Sequence, residues 1–314
     1  MDLDTERRPA HLDHPALLYG NLDEFVGVTA PFIDEGFKRN EVVFVAARGD
    51  YLEALRSAVG GTGGRWHDTR LWHPHPATRL HAFYELVTDE LGAGATGFRL
   101  VGEPVWPEGQ PDLVKEWQRY ESSLNAVLAP FPVTLLCLYD AVALDPSIVA
   151  TARRTHPRIH EADFEGPSPD FEHPEAFLRN WRFDLAAPPS DAACMSGVSN
   201  LAAARAFVYD LATRVGVAEE PALDLVAAAN EALSNAMVHG RDAPDLTVWV
   251  DGNRLLCQVH DGGPGIADPL VSYRPPGEGP SGRGLWMARQ LVDFIQIEPG
   301  PRGTIVRLHV PIPG

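Results

Sequence analysis

The stretch "NEALSNAMVHG", residues 230–240, is rich enough in Ala, Leu and Met to be a buried helix, yet it carries Glu231, Asn235 and His239 at four-residue intervals. At 100° per residue, Val226, Ala229, Leu233, Ala236 and Met237 gather on one side of a helix spanning 221–239. That side is the expected core face. Asp224, Glu231 and Asn235 fall opposite, flanked by the small residues Ala227 and Ala228, which would let a ligand approach closely. From the helix alone, a ligand wall and an ordinary solvated face remain equally open.

Two later segments bear on that choice. "HDGGPGI" places Asp261 at a strand end, followed by Gly263 and Gly265 in a turn that bends sharply or meets something closely. "SGRGLWMARQLVD" places Gly282, Arg283, Gly284 and Leu285 at a helix start, where free N–H groups and the helix dipole favour phosphate. Either segment alone reads most simply as a turn. Around them, "DLTVWV" (245–250) and "LLCQVHD" (255–261) flank the hairpin signal "DGN", and "DFIQIE" and "GTIVRLHV" flank "PGPRG". Helices combined with antiparallel hairpins predict an α+β sandwich for the second half. "WRFDLAA" (181–187) is the expected first strand of that half, and 198–216 its first helix.

The order ExxxN, DxGxG 26 residues after the Asn, GxGL, and a strand opening with Gly303 and Thr304 resembles the N, G1 and G2 boxes and final Thr of the GHKL ATPases. That superfamily includes gyrase, histidine kinases and mismatch-repair ATPases. The resemblance covers about 181–314 and implies a Bergerat α/β sandwich with a mixed, mostly antiparallel sheet. It further implies that Asn235 ligates Mg²⁺ on ATP and that Glu231 polarises the attacking nucleophile near the γ-phosphate. Asp261, supported by Thr304, would accept from the adenine amino group. Gly263 and Gly265 would be among the nucleotide-binding residues, and the segment 266–282 would form a lid. Gly282, Arg283, Gly284 and Leu285 would meet the phosphates, and His239 would border them or simply cap its helix.

Within the superfamily the stretch looks most like the RsbW/SpoIIAB anti-sigma serine/threonine kinases, on the trailing His-Gly of its N box and on "GRGLWMARQL". Such proteins hold a sigma factor and phosphorylate Ser or Thr on a STAS-type anti-anti-sigma protein. Relatives that dimerise through the ATPase domain add a homodimer to what the resemblance implies. One departure is that some members carry a basic residue just before the G2 Ser-Gly, where this chain has Pro280. The change bears on phosphotransfer more than on nucleotide binding. The rival reading, a sensor histidine kinase, needs a helical hairpin bearing an acceptor His; His160 precedes Glu161 as such a residue often does, but 163–195 is dense in Pro and Gly.

That dense segment also marks a domain boundary near residue 180, giving expected domains 10–180 and 181–314. In the first half, "EVVFVAA" (41–47), "GFRLVGE" (97–103) and "VTLLCLYD" (133–140) read as buried strands. Amphipathic helices are expected at 49–59, 79–91 and 112–128. The alternation predicts an α/β layer with a parallel sheet. No catalytic centre is read there: "GGTGGRWHD" (60–68) lacks the GK[ST] of a P-loop, and Asp140, although it ends a strand of Walker-B form, has no P-loop beside it. The "HPALLYGN…VVFVAA" stretch, "TGFRLVGEPVW", "LLCLYD" and "THPRI" resemble the MEDS sensory family. This resemblance implies a RecA-like sheet without a P-loop, an unidentified small-molecule or protein signal, and His14, Tyr19 and His156 as candidate contacts, with core packing as their alternative.

Composition narrows the classes. Across 314 residues with 45% hydrophobic and 22% charged side chains, the formal charge of −17 argues against binding nucleic acid or an anionic membrane. Only Lys38 and Lys115 stand among 26 basic residues, an Arg bias of the kind a GC-rich genome produces. Cys137, Cys194 and Cys257 lie far apart with no CxxC or Cys/His ligand spacing, so neither a disulfide framework nor a zinc site is expected. "WHPHP" (72–76) has no third ligand at a sensible distance. The N-terminus has no apolar leader, and a cytoplasmic protein is expected.

Overall fold

A computed structural model describes residues 11–61, 63–73, 75–162, 164–275, 283–301 and 303–313. The chain divides between Asn180 and Trp181 into two compact units.

The first unit runs β1 (Pro15–Tyr19), α1 (Leu22–Lys38), β2 (Val42–Ala47), α2 (Gly49–Ala58), β3 (Arg65–Asp68), α3 (Pro76–Gly92), β4 (Phe98–Gly102), α4 (Pro111–Val127), β5 (Val133–Asp140), α5 (Pro146–Thr155), β6 (Arg158–Glu161), β7 (Phe164–Pro167) and α6 (Pro174–Asn180). Its seven strands are ordered β3-β2-β4-β5-β1-β6-β7. All pairs are parallel except the edge pair β6–β7. The expected α/β layer is therefore present, with one antiparallel edge strand. β1 and β4 are buried along their whole length, as in a sheet covered on both faces, and the one charged residue in them, Arg99, pairs with Glu41 at 2.8 Å. Asn21 caps α1, its side chain accepting from the Glu24 N–H at 2.9 Å, while Glu24 accepts from the Gly20 N–H at 2.8 Å. "GGTGGRWHD" leads into the strand β3, not into a phosphate-binding helix.

The second unit holds β8 (Ala193–Met195), α7 (Leu201–Arg214), α8 (Glu219–His239), β9 (Asp245–Asp251), β10 (Arg254–His260), α9 (Arg283–Leu291), β11 (Phe294–Gly300) and β12 (Gly303–Pro311). The sheet is ordered β11-β12-β10-β9-β8, and all four pairings are antiparallel. Gly252, at φ +58°, supplies the left-handed backbone of the two-residue β9–β10 hairpin. Alternate strand residues, among them Leu246, Val248, Leu255, Cys257, Ile295 and Leu308, pack with Val208, Leu225, Ala229 and Leu233 of the helices. This is the α+β sandwich the hairpins predicted.

"WRFDLAA" is not a strand, and the first strand of this sheet is β8. The segment is tied down by side chains instead of by a ladder. Glu298 accepts from the Phe183 N–H at 2.6 Å and pairs with Arg182 at 2.7 Å, and Arg307 donates to the Ala186 carbonyl at 2.7 Å. Phe183 packs edge-on against Phe294, so the segment covers the sheet face away from the helices.

Candidate functional site

The core stripe of α8 is rotated from the expected one. Ala222, Leu225, Ala228, Ala229, Ala232, Leu233 and Ala236 are its buried residues, because α8 packs against α7, α9 and the sheet at once. Ala228, expected on the ligand wall, is core, and Ala227 is exposed; Ala232 and Ala236 are the small residues beside the cavity. Glu231 and Asn235 remain half-buried on one face, a turn apart, and neither side chain makes a hydrogen bond or ion pair among the described residues.

The start of α9 lies against these two side chains. A Cβ on Gly284 would sit 2.6 Å from Glu231 Oε2 and 3.1 Å from Asn235 Nδ2, so only glycine admits this approach without displacing them. Asp261, just past β10, is held by its neighbours: Oδ1 accepts from Gly263 N–H at 2.7 Å and Thr304 N–H at 3.4 Å, and its own N–H donates to the Thr304 carbonyl at 3.1 Å. Gly303 sits at φ +114°, where a Cβ would lie 1.7 Å from the Asp261 carbonyl oxygen. The turn after Asp261 is thus wedged between the end of α8 and the start of β12.

Between these elements lies a cavity of about 340 Å³. Asn235, His239, Asp261, Gly265, Leu285 and Thr304 line it together. The remaining wall is largely apolar, from Ala232, Ala236, Val259, Ile266, Val271 and Val306. A largely apolar cavity with one fixed carboxylate can take an apolar ring and accept a hydrogen bond from a donor group on it. Gly263 and Gly284 shape the walls, Glu231 stands beside Gly284, and Arg283 is exposed at the first position of α9. Gly282, Pro280 and the later part of the lid segment 266–282 lie outside the described residues. The earlier part is anchored: Leu270, Ser272 and Tyr273 are buried, and the Arg289 guanidinium donates to Ser272 Oγ at 2.9 Å and covers the Tyr273 ring at 3.9 Å. Sequence reasoning did not single out Arg289 or the apolar lining; an Arg inside the mostly apolar run "GLWMARQL" was the signal available.

In the first unit, Tyr19 and the two histidines separate into different environments. Tyr19 joins Arg48, Glu103 and Asp140 at the C-terminal strand ends, where Arg48 donates to Tyr19 Oη at 2.5 Å and to Asp140 Oδ2 at 2.8 Å. Burial raises the Glu103 carboxyl pKa, while hydrogen bonds from Arg48, Ala143 and Val142 outweigh burial and lower that of Asp140. Arg48, Thr69, Glu103, Trp106 and Asp140 line a cleft of about 370 Å³ there. Asp140 thus serves as an ion-pair partner and turn cap. His14 and His156 are buried with ring centroids 4.2 Å apart. His160 lies on the strand β6, with Nδ1 3.8 Å from Glu165, and not on a helix of the kind that carries a phospho-acceptor.

Comparison with known proteins divides the chain in the same way. Residues 13–157 match the family model described as "MEthanogen/methylotroph, DcmR Sensory domain", and residues 196–310 match "Histidine kinase-like ATPase domain". A transcriptional repressor DcmR of Methylorubrum extorquens is 25% identical over 156 residues, which is 47% of this chain and 59% of that protein. Anti-sigma F factors of two Thermoanaerobacter strains are each 28% identical over 125 residues, covering 36% of this chain and 87% of theirs. A crystal structure of the RsbU and RsbW domains of a Mycobacterium tuberculosis protein is 22% identical, with a TM-score of 0.31, over 40% of this chain and 33% of that one. Among the described residues no helix is long and apolar enough to cross a membrane.

Proposed function

We propose that this chain, which joins a MEDS sensory domain to a histidine kinase-like ATPase domain, is an anti-sigma regulator whose second domain binds ATP with Mg²⁺ and phosphorylates a Ser or Thr of an anti-anti-sigma partner. The observation that carries this reading is the convergence of Asn235, Asp261, Thr304 and Leu285 on one largely apolar cavity, with Gly284 pressed against Glu231 and Asn235. The similarity to anti-sigma F factors supports the choice of partner class.

In this reading the adenine ring enters the apolar slot and its amino group donates to Asp261, whose orientation the Gly263 and Thr304 amides fix. The side-chain oxygen of Asn235, unused by the described residues, suits Mg²⁺, a hard cation that takes oxygen donors and keeps several waters. When bound, the ion would neutralise charge on the phosphates. Glu231, a turn earlier on α8, stands where a carboxylate can orient or deprotonate an incoming hydroxyl. The start of α9 lies against Glu231 and Asn235, and a helix N-terminus favours anions.

Calorimetric titration of the full chain with a non-hydrolysable ATP analogue tests the first step. Binding that requires Mg²⁺ and disappears in Asn235→Ala is the expected result, and unchanged affinity in that variant refutes the metal assignment. With ATP and an anti-anti-sigma protein, acid-stable phosphate on the partner that Glu231→Ala abolishes is expected. Nucleotide-dependent sigma binding without transfer would reduce the protein to a scaffold, and acid-labile autophosphorylation would make it a histidine kinase.

A further inference from the structure

Four buried side chains of the first unit converge at a point the nucleotide reading does not use. His14 just before β1, Glu121 on α4, Cys137 on β5 and His156 at the end of α5 are each at most 2% exposed. One donor atom from each lies within 4.8 Å of all the others.

Hydrogen bonding decides which nitrogens face the cluster. Asn125 Nδ2 donates to the carbonyls of Ser122 at 3.2 Å and Thr155 at 2.7 Å, which leaves Oδ1 to accept from His14 Nδ1 at 3.0 Å. His156 Nδ1 donates to the Ala152 carbonyl at 2.8 Å. Both rings therefore carry hydrogen on Nδ1 and turn the Nε2 lone pair inward, the outer-shell arrangement that orients metal-bound imidazoles.

The consequence is that two imidazole lone pairs, a carboxylate and a thiol face one another. His156 Nε2 and Glu121 Oε2 are 3.2 Å apart, and neither atom has a hydrogen-bond partner. His14 Nε2 lies 3.2 Å from Cys137 Sγ and 3.9 Å from Glu121 Oε2. The His156 and Glu121 lone pairs, this close in a dry interior, repel unless a positive centre lies between them. A proton between His156 and Glu121 and the thiol hydrogen of Cys137 toward His14 would satisfy these contacts pairwise, whereas one cation engages all four donors at once. Tetrahedral bonds of about 2.0–2.3 Å hold ligand atoms about 3.3–3.6 Å apart, and the observed separations bracket that spacing.

We propose that His14, Glu121, Cys137 and His156 bind one divalent transition-metal cation of the zinc class. Two imidazoles, a thiolate and a carboxylate form a borderline donor set, unlike the all-oxygen sets of Mg²⁺ or Ca²⁺. The two anionic ligands balance a 2+ charge, so the occupied site is neutral where burial would penalise net charge. With four protein ligands the site is closed, as in structural zinc centres. Its ligands come from the neighbouring strands β1 and β5 and from the helices α4 and α5, which pack against each other, so occupancy is linked to the folding of this part of the unit.

The test uses the full chain, purified without an affinity tag that binds metals. Elemental analysis should find about one equivalent of zinc or a neighbouring transition metal. Protein unfolded in chelator and refolded with Co²⁺ should show the visible bands of tetrahedral Co²⁺ and a near-ultraviolet thiolate charge-transfer band. Cys137→Ser should lose the charge-transfer band and Cys194→Ser should keep it. Negligible copurified metal together with no Co²⁺ uptake overturns the proposal, and so does a charge-transfer band that survives Cys137→Ser. If that variant fails to fold, the unmutated protein's metal content and Co²⁺ spectrum, with the Cys194→Ser control, still decide. None of these readouts depends on nucleotide binding.

Discussion

Gly284→Ala separates the nucleotide reading from a purely structural one. The added Cβ would stand 2.6 Å from Glu231 Oε2 and 3.1 Å from Asn235 Nδ2. Ordinary contact begins near 3.4 Å, so the carboxylate must retreat by roughly 0.8 Å and the amide by a few tenths. Both atoms are free ends of half-buried side chains, so the fold can absorb the movement. Within the first turn of α9, Ala also carries a propensity advantage over Gly of up to about 1 kcal/mol. Thermal unfolding should therefore be unchanged or rise by a few degrees. Nucleotide affinity should fall, because both side chains and the α9 amides lose their positions. One lost charge-assisted contact is worth about 1.5–3 kcal/mol, or roughly 10- to 100-fold in Kd. Calorimetric titration with a non-hydrolysable ATP analogue and Mg²⁺ reads the affinity, and circular dichroism reads the melt. The double variant Glu231→Ala/Gly284→Ala removes the atom the new methyl strikes, so the two effects should be non-additive. Wild-type affinity in Gly284→Ala, or an affinity loss that merely tracks a large drop in stability, refutes the reasoning.

Other positions give contrasting outcomes. Gly303→Ala should destabilise the second unit by more than about 2 kcal/mol, since its φ of +114° and the 1.7 Å approach to the Asp261 carbonyl both forbid a side chain; an unshifted thermal transition would contradict this. Asp261→Asn should weaken ATP analogues far more than inorganic triphosphate, and equal losses for both would mean that the site had merely come apart. His309, buried beside Arg254 and Arg307, has its pKa pushed down to about 3, so its imidazole is neutral in the fold, whereas the unfolded chain takes up a proton below about 6.5. Stability present above pH 6.5 is lost as pH falls, by about 2 kcal/mol at pH 5. Hydrogen exchange of β12 in His309→Gln should show a flatter pH dependence, and an unchanged slope would exclude His309 as its source. Arg289→Met should loosen the segment around Ser272 and Tyr273, raising its exchange rate relative to β12; equal rates would show that the guanidinium does not anchor it.

The residues that could be read from sequence and those that could not differ in how far their signals extend along the chain. Glu231, Asn235, Asp261 and Gly284 sit in short motifs whose order could be recognised, and four hairpin strands followed from turn residues between apolar runs. The rotation of the α8 stripe was not legible, because Ala is nearly neutral in any periodicity argument and five of the seven residues of that stripe are Ala; only the packing of α7, α9 and the sheet determines which alanines are inside. "WRFDLAA" has a strand's composition, yet Glu298, more than 110 residues away, takes the Phe183 N–H that a ladder would have used. β3, β6 and β7 are only four residues long, too short for an alternation to register.

The buried cluster shows the same limit most sharply. Ligand spacing is a useful signal when one hairpin or helix supplies two donors, as in CxxC or HxxxH. Here His14 and Cys137 are 123 residues apart, and Glu121 lies on a helix whose charge suggests a solvated face. A parallel sheet makes such gatherings natural, because its neighbouring strands are joined by long crossovers: β1 lies beside β5 and β6, and α4 and α5 are the helices that flank β5 in sequence. What the sequence did contain was two histidines, His14 and His156, at opposite ends of one family-like stretch, with nothing local to explain either. In a domain of this topology an unexplained pair separated by the full length of the sheet's wiring is a pointer to the centre of the sheet, where the only affordable polar groups are those that bind one another or a common cation.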